Sequence, residues 1–128
     1  MLILFRNRRF DRAQSAAAAK RPNLSEDNFV ATMEGLGGDE VVAVEVYRKL
    51  TAYCRSGVFP NPGDLLDSFF GIDADELEGL IEDLFQRLAL PIPSGRTPEH
   101  IPPLETAADL VLYLSHRRKE IGFAEGPR

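Results

Sequence analysis

Residues 69–85 read FFGIDADELEGLIEDLF, and this stretch decides the fold. Leu77, Leu80, Ile81, Leu84, Phe85 and the following Leu88 fall at i, i+3, i+4, i+7, i+8 and i+11. That spacing places six apolar side chains on one face of an α-helix. Asp73 stands at the N-cap position, where a short oxygen-bearing side chain satisfies a free backbone N–H. Asp75 and Glu76 fall in the first turn, where the helix dipole favours negative charge. Pro91 and Pro93 are expected to end the helix. Gly79 is its weak point and is expected to allow close approach of a neighbouring element.

Working outward, two more helices of useful length appear. In DEVVAVEVYRKLTAYCRSG (39–57), Val42, Val46, Leu50 and Tyr53 make one apolar stripe. Asp39 is the expected N-cap, Arg55 the last-turn cation and Gly57 the stop. In LETAADLVLYLSHRRKEIG (104–122), Leu104, Ala107, Ala108, Val111 and Leu114 form the inner stripe, with Thr106 as a candidate cap and Arg117, Arg118 and Lys119 near the C-terminal end. A shorter helical signal, SEDNFVATMEGLGG (25–38), carries Ser25 as its cap and stops at Gly35, Gly37 and Gly38.

The connections are irregular. FPNPGDLLDSFFG (59–71) holds Pro60, Pro62 and Gly63, which rule out continuous helix. Its Leu65, Leu66, Phe69 and Phe70 are too apolar for a free loop and are expected to cover the core. PIPSGRTPEHIPP (91–103) is proline-rich, with a short turn expected near Pro98 and Glu99. The expected fold class is therefore all-α: a small bundle of three main helices plus a short connecting helix, with an extra N-terminal segment. Residues 1–22 are expected as a basic tail, 23–122 as a single domain and 123–128 as a C-terminal tail.

Composition sets the outer bounds. A chain of 128 residues supports one modest core. No apolar run approaches the ~20 residues needed to cross a bilayer. Cys54 is the single cysteine, so no internal disulfide or cysteine metal cluster can form, and a reducing cytoplasm fits. His100 and His116 lack ligand-like spacing and read as surface residues. There is no glycine-rich phosphate loop, no hydrolase elbow and no grouping of base, nucleophile and orienting group, so the chain is not read as an enzyme.

Charge is divided unevenly. Residues 1–21 hold six basic groups and one acid; residues 22–128 hold nine basic and nineteen acidic groups. The body should repel nucleic acid and attract a basic protein surface, while residues 1–21 could contact an anionic membrane. Residues 64–83 contain eight acids and no base. Of these, Asp75, Glu78 and Glu82 share one helix face. Like charges at this spacing repel by a few tenths of a kcal/mol. A one-sign face is tolerated more readily if a basic partner uses it.

Phe70-Gly71-Ile72-Asp73-Ala74, the acidic amphipathic helix after it and Ile92-Pro93 together resemble the acyl carrier proteins. The stretch Thr106 to Leu114 is similar to that family's last helix. The likeness covers about residues 39–116. It implies a small acidic helical bundle that docks on a carrier-dependent enzyme, as in bacterial fatty-acid or polyketide synthesis, through an acidic helix. The implied partner-binding residues are Asp73, Asp75, Glu76, Glu78, Glu82 and Asp83. In that family a serine at the start of the helix carries a 4′-phosphopantetheine arm. Here the position is Ala74, which has no oxygen to form the phosphodiester, and the next residue departs from the pattern as Asp75. No cofactor is therefore expected at Ala74. Asp67-Ser68-Phe69 offers the alternative, with the arm on Ser68.

Overall fold

The computed structural model describes Gln14, residues 24–90 and residues 103–125, with residues 122–125 described by backbone alone. Four α-helices and no β-strand are found among the described residues: α1 (Glu26–Gly35), α2 (Glu40–Thr51), α3 (Ala74–Arg87) and α4 (Ala107–Glu125). The all-α bundle read from the sequence is the observed architecture. The turn expected near Pro98 and Glu99, the Ile92-Pro93 pair and His100 lie outside the described residues, as does all of the N-terminal segment except Gln14.

Local chemistry explains each helix start. Ser25 Oγ accepts the Asn28 N–H at 3.2 Å at the head of α1. Asp39 Oδ1 accepts the Val41 and Val42 N–H groups at 2.8 and 3.2 Å at the head of α2. At α4, Thr106 Oγ1 accepts the Asp109 N–H at 3.1 Å, and Asp109 Oδ2 accepts the Thr106 N–H at 3.0 Å. Each cap satisfies donors that the helix itself leaves unpaired.

Two helix ends share one geometry. After α1, the Gly38 N–H donates to Met33 O at 2.7 Å and the Gly37 N–H to Glu34 O at 3.0 Å, with Gly37 at φ +95°. After α3, the Leu90 N–H donates to Phe85 O at 2.8 Å and the Ala89 N–H to Gln86 O at 3.1 Å. This is the Schellman arrangement in both places. At α3, however, the left-handed position holds Ala89, at φ +56°. The helix therefore stops before Pro91, by its own hydrogen bonding rather than by the prolines.

Three further expectations are corrected. Helix α2 ends at Thr51, so Arg55 lies beyond its last turn; Arg48 and Lys49 occupy that turn. Gly57 has φ +84° in a later turn and does not stop the helix. Helix α4 runs on to Glu125, three residues into the expected C-terminal tail. Arg117, Arg118 and Lys119 therefore sit inside it, before its final turn.

The predicted stripes of α2, α3 and α4 supply much of the core, and Phe29, Met33 and Leu110, which no predicted stripe included, join it. Phe29 and Met33 of α1, Val42, Val46 and Leu50 of α2, Leu84 and Phe85 of α3, and Leu110, Val111 and Leu114 of α4 are all buried. Leu77, Leu104, Ala108 and Tyr53 are partly buried at its edge. The Phe85 and Tyr113 rings stack, with centroids 6.5 Å apart and planes 25° apart, which joins α3 to α4. Phe29 and Tyr47 join α1 to α2 at 5.2 Å. Aromatic pairs at these separations contribute about 0.5–1.5 kcal/mol beyond the area they bury.

The connection between α2 and α3 folds onto this core. Leu66, Phe69 and Phe70 are buried as expected and Ile72 is buried with them, but Leu65 is 44% exposed. Leu65 instead stands opposite Thr106 in an isolated antiparallel bridge whose hydrogen bonds are made by its neighbours. Around it, the Leu66 N–H donates to Glu105 O at 2.8 Å, the Ala107 N–H to Asp64 O at 3.0 Å and the Ala108 N–H to Pro62 O at 2.9 Å. The connection is thus stitched to the start of α4, and Gly71, at φ +74°, turns it into α3.

Candidate functional site

Helix α3 begins where the sequence puts it. Ala74 is its first residue and is exposed. Asp73 Oδ1 accepts the Glu76 N–H at 2.8 Å, and Glu76 Oε1 accepts the Asp73 N–H at 3.5 Å. Both halves of a capping box are therefore present. The helix start is fixed firmly, yet its leading side chain is a methyl group.

The six acids assigned to partner binding divide by employment. Asp73 and Glu76 are engaged in the capping box. Asp83 is paired with Lys49 of α2 and lies 3.8 Å from Arg87. The Lys49 hydrogen bond holds the Asp83 carboxyl below the usual carboxylate range, against a smaller opposing effect of burial. Arg87 also reaches Glu45 of α2 at 3.9 Å. Asp83 therefore sits on the edge of α3 that faces α2, where it ties the two helices together.

Asp75, Glu78 and Glu82 are exposed and form no ion pair among the described residues. Their i, i+3, i+7 spacing sets them along one solvent-facing row of α3. Some acids elsewhere are paired, Glu26 with Arg48 at 2.7 Å and Asp39 with Arg118 at 2.7 Å, while others, such as Asp27, Glu34 and Glu40, have no ion pair among the described residues. What sets the α3 row apart is three acids of one sign along a single helix face.

Beside that row runs a groove of about 410 Å³, with Lys49 and Tyr53 on the α2 side and Glu76, Gly79, Leu80 and Glu82 among its α3 lining. Gly79 faces it openly: a Cβ built there meets nothing within 4 Å. This corrects the expectation that Gly79 admits a close neighbour. The close approach is at Gly38, where a Cβ would lie 2.9 Å from Met33 O and 3.2 Å from Val111 Cγ1.

Ser68 lies on the turn six residues before Ala74 and is exposed. Its N–H donates to Asp67 Oδ1 at 2.6 Å. The turn is ordered by the Phe69 N–H bonded to Leu65 O at 3.1 Å and the Gly71 N–H bonded to Asp67 O at 3.1 Å. Ser68 is thus outside α3 and does not sit at its N-terminus.

Gln14 is the residue that sequence reasoning missed. It falls in the stretch expected as a tail, yet it is only 1% exposed. Its Nε2 donates to Tyr53 O and Phe69 O, both at 3.0 Å, and its Oε1 accepts the Arg55 N–H at 2.7 Å. A single polar residue bonded to partners 39 to 55 positions away leaves no periodic trace in sequence.

Among the described residues, no group of three or more His, Cys, Asp or Glu side chains could hold a metal ion. No described helix is long and apolar enough to cross a membrane. His116 is exposed and lies 3.4 Å from Glu120. Cys54 is half-buried beside the core, with its Sγ 3.6 Å from Leu50 O. No protein family, curated protein or solved structure matches this chain.

Proposed function

We propose that this chain is an acyl-carrier-like docking protein that works without an arm at Ala74, a binding protein rather than an enzyme, acting in the cytoplasm. The observation that carries the reading is the exposed row Asp75–Glu78–Glu82, without an ion pair among the described residues, on a helix whose other acids are already engaged. A row of one sign lowers the stability of an isolated helix slightly. It raises the encounter rate with a surface of opposite sign. The partner class is a protein presenting arginine or lysine along a helix-sized face, as on the carrier-dependent enzymes that the resemblance implies.

Titration of the isotope-labelled full chain with an alanine-based helical peptide bearing arginines on one face tests this. Amide shifts are expected at Asp75, Glu78 and Glu82, fading as salt rises toward molar concentration. The double variant E78K/E82K should fold as the wild type does and lose the shifts. Equal binding by the double variant would overturn the reading.

The exposure of Ser68 favours one alternative, a true carrier with 4′-phosphopantetheine on that hydroxyl. The bound arm would supply a thiol for acyl attachment, and Ser68 Oγ would be its anchoring atom. Incubation with coenzyme A and a broad-specificity phosphopantetheinyl transferase, read by intact mass, separates the readings. An unchanged mass supports the armless protein; a mass gain that disappears in S68A supports the carrier.

A further inference from the structure

A second groove, of about 740 Å³, lies where three parts of the fold meet: the turn from α1 to α2, the residues just past α3, and α4 from Leu112 onward. Its size falls within the roughly 300–1,000 Å³ common for small-molecule sites. Helix α4 lines it with Leu112, Ser115, His116 and Lys119, at i, i+3, i+4 and i+7, so one helix face supplies both apolar and polar groups. Leu88 and Leu90 after α3, and Ile121 one turn beyond Arg118, extend the apolar side.

The polar side has donors to spare. Ser115 is 8% exposed; its Oγ accepts the Asp39 N–H at 2.8 Å, and its own O–H meets no acceptor among the described residues. Arg118 spends Nη1 on Asp39 Oδ2 at 2.7 Å, which leaves the Nε–Nη2 edge of its guanidinium without an acceptor among the described residues. Lys119 is exposed and forms no ion pair among them. Among the described residues, Asp39 is the one carboxylate in the lining, and both of its oxygens are taken. Oδ1 accepts the Val41 and Val42 N–H groups, and Oδ2 accepts Arg118. Positive charge and hydrogen-bond donors are thus in excess beside a wall of leucine and isoleucine.

We propose that this groove binds a small carboxylate with an apolar body. The free edge of Arg118 carries two parallel N–H groups, the fork that matches two carboxylate oxygens. Ser115 supplies a third donor and Lys119 a second charge. Leu88, Leu90, Leu112 and Ile121 take the hydrocarbon part out of water. A bare inorganic anion leaves that wall uncovered, and a neutral hydrocarbon leaves the donors unused. The site uses none of Asp75, Glu78 and Glu82, so it stands whatever their row binds.

Titration of the isotope-labelled full chain with phenylbutyrate tests the site, with phenylbutanol and acetate as partial mimics. The acid should give saturable shifts at the Gly38, Leu112, Ser115 and Lys119 amides. Phenylbutanol lacks the charge and acetate lacks the apolar body. Each should bind roughly tenfold more weakly, the scale of one charge-assisted hydrogen bond or of a few buried methylenes. R118K keeps a cation beside Asp39 but loses the fork, and should weaken the acid by roughly tenfold. Four results overturn the proposal. Equal binding of phenylbutanol makes the groove merely apolar, and equal binding of acetate makes it a general anion site. Undiminished affinity in R118K removes the fork, and absence of saturable shifts at those amides removes the site. The comparison of the three compounds uses the unmodified protein, so it decides even if R118K fails to fold.

Discussion

Asp73 Oδ1 accepts the Glu76 N–H at 2.8 Å, and this single bond fixes where the acidic helix starts. It also divides the acids of α3 into those that build the helix and those that face outward. D73A should cost about 1 kcal/mol, the usual loss of an N-cap, while D73S should recover most of it. E78K/E82K should change stability by less than about 0.5 kcal/mol, because both side chains are exposed and form no ion pair among the described residues. Urea unfolding of the variants, followed by circular dichroism, measures all three.

Gly38 and Gly79 should respond to alanine with opposite signs. A methyl group at Gly79 meets nothing within 4 Å and removes the helix penalty of glycine, so G79A should stabilise by about 1 kcal/mol. A methyl at Gly38 would press on the Met33 carbonyl, a backbone atom that yields little, so G38A should destabilise and lower the melting temperature. Thermal melts of the two variants make the comparison.

Ala89 holds a left-handed backbone position that its counterpart after α1 fills with Gly37. An L-residue with a Cβ costs roughly 1–2 kcal/mol there. A89G relieves that strain at some cost in unfolded-chain entropy, and a net gain of about 0.5–1 kcal/mol is expected in chemical unfolding. Pro91 is not needed for the stop, so P91A should leave the end of α3 unchanged by amide chemical shifts.

Asp39 is subject to opposing influences. Burial raises its carboxyl pKa, but hydrogen bonds from the Val42 N–H, the Arg118 guanidinium and the Val41 N–H outweigh it and hold the group below its ordinary 3.8. A lowered folded-state value means stability that is present above the unfolded value and lost as pH falls through the folded one. D39N should therefore be less stable than wild type at pH 7, by about 1 kcal/mol for the lost charge-assisted bond to Arg118. The gap should close below about pH 4. Melting temperatures of the pair from pH 7 to pH 2.5 give the curve; a constant gap would contradict it.

What the sequence made legible follows from the range of each interaction. Ser25, Asp39, Asp73 and Thr106 cap through bonds spanning two or three residues, so their positions were readable. The stripes of α2, α3 and α4 repeat at helical spacing and marked the core. The end of α2 was misplaced because Tyr53 continues the apolar period after the backbone has left the helix. Leu65 was misassigned because composition cannot separate a residue that buries its side chain from one that stands in a main-chain bridge opposite Thr106, where its neighbours Asp64 and Leu66 make the bonds. At the candidate site, the outward row Asp75, Glu78 and Glu82 was legible from spacing. The employment of Asp83 was not, because Lys49 lies 34 residues away.

The stitching of the 62–66 stretch to the head of α4 has a consequence for mutational tolerance. Its bonds run between main-chain groups of Pro62, Asp64, Leu66, Glu105, Ala107 and Ala108, and main-chain groups are the same in nearly every residue. Side chains at Glu105 and Leu65 are free to drift without loosening the joint. Proline is the exception, since it removes the donor. At the first position of a helix proline is ordinarily welcome. At Ala107 it would instead cut the bond to Asp64, so A107P should be far more damaging than the helix alone would suggest.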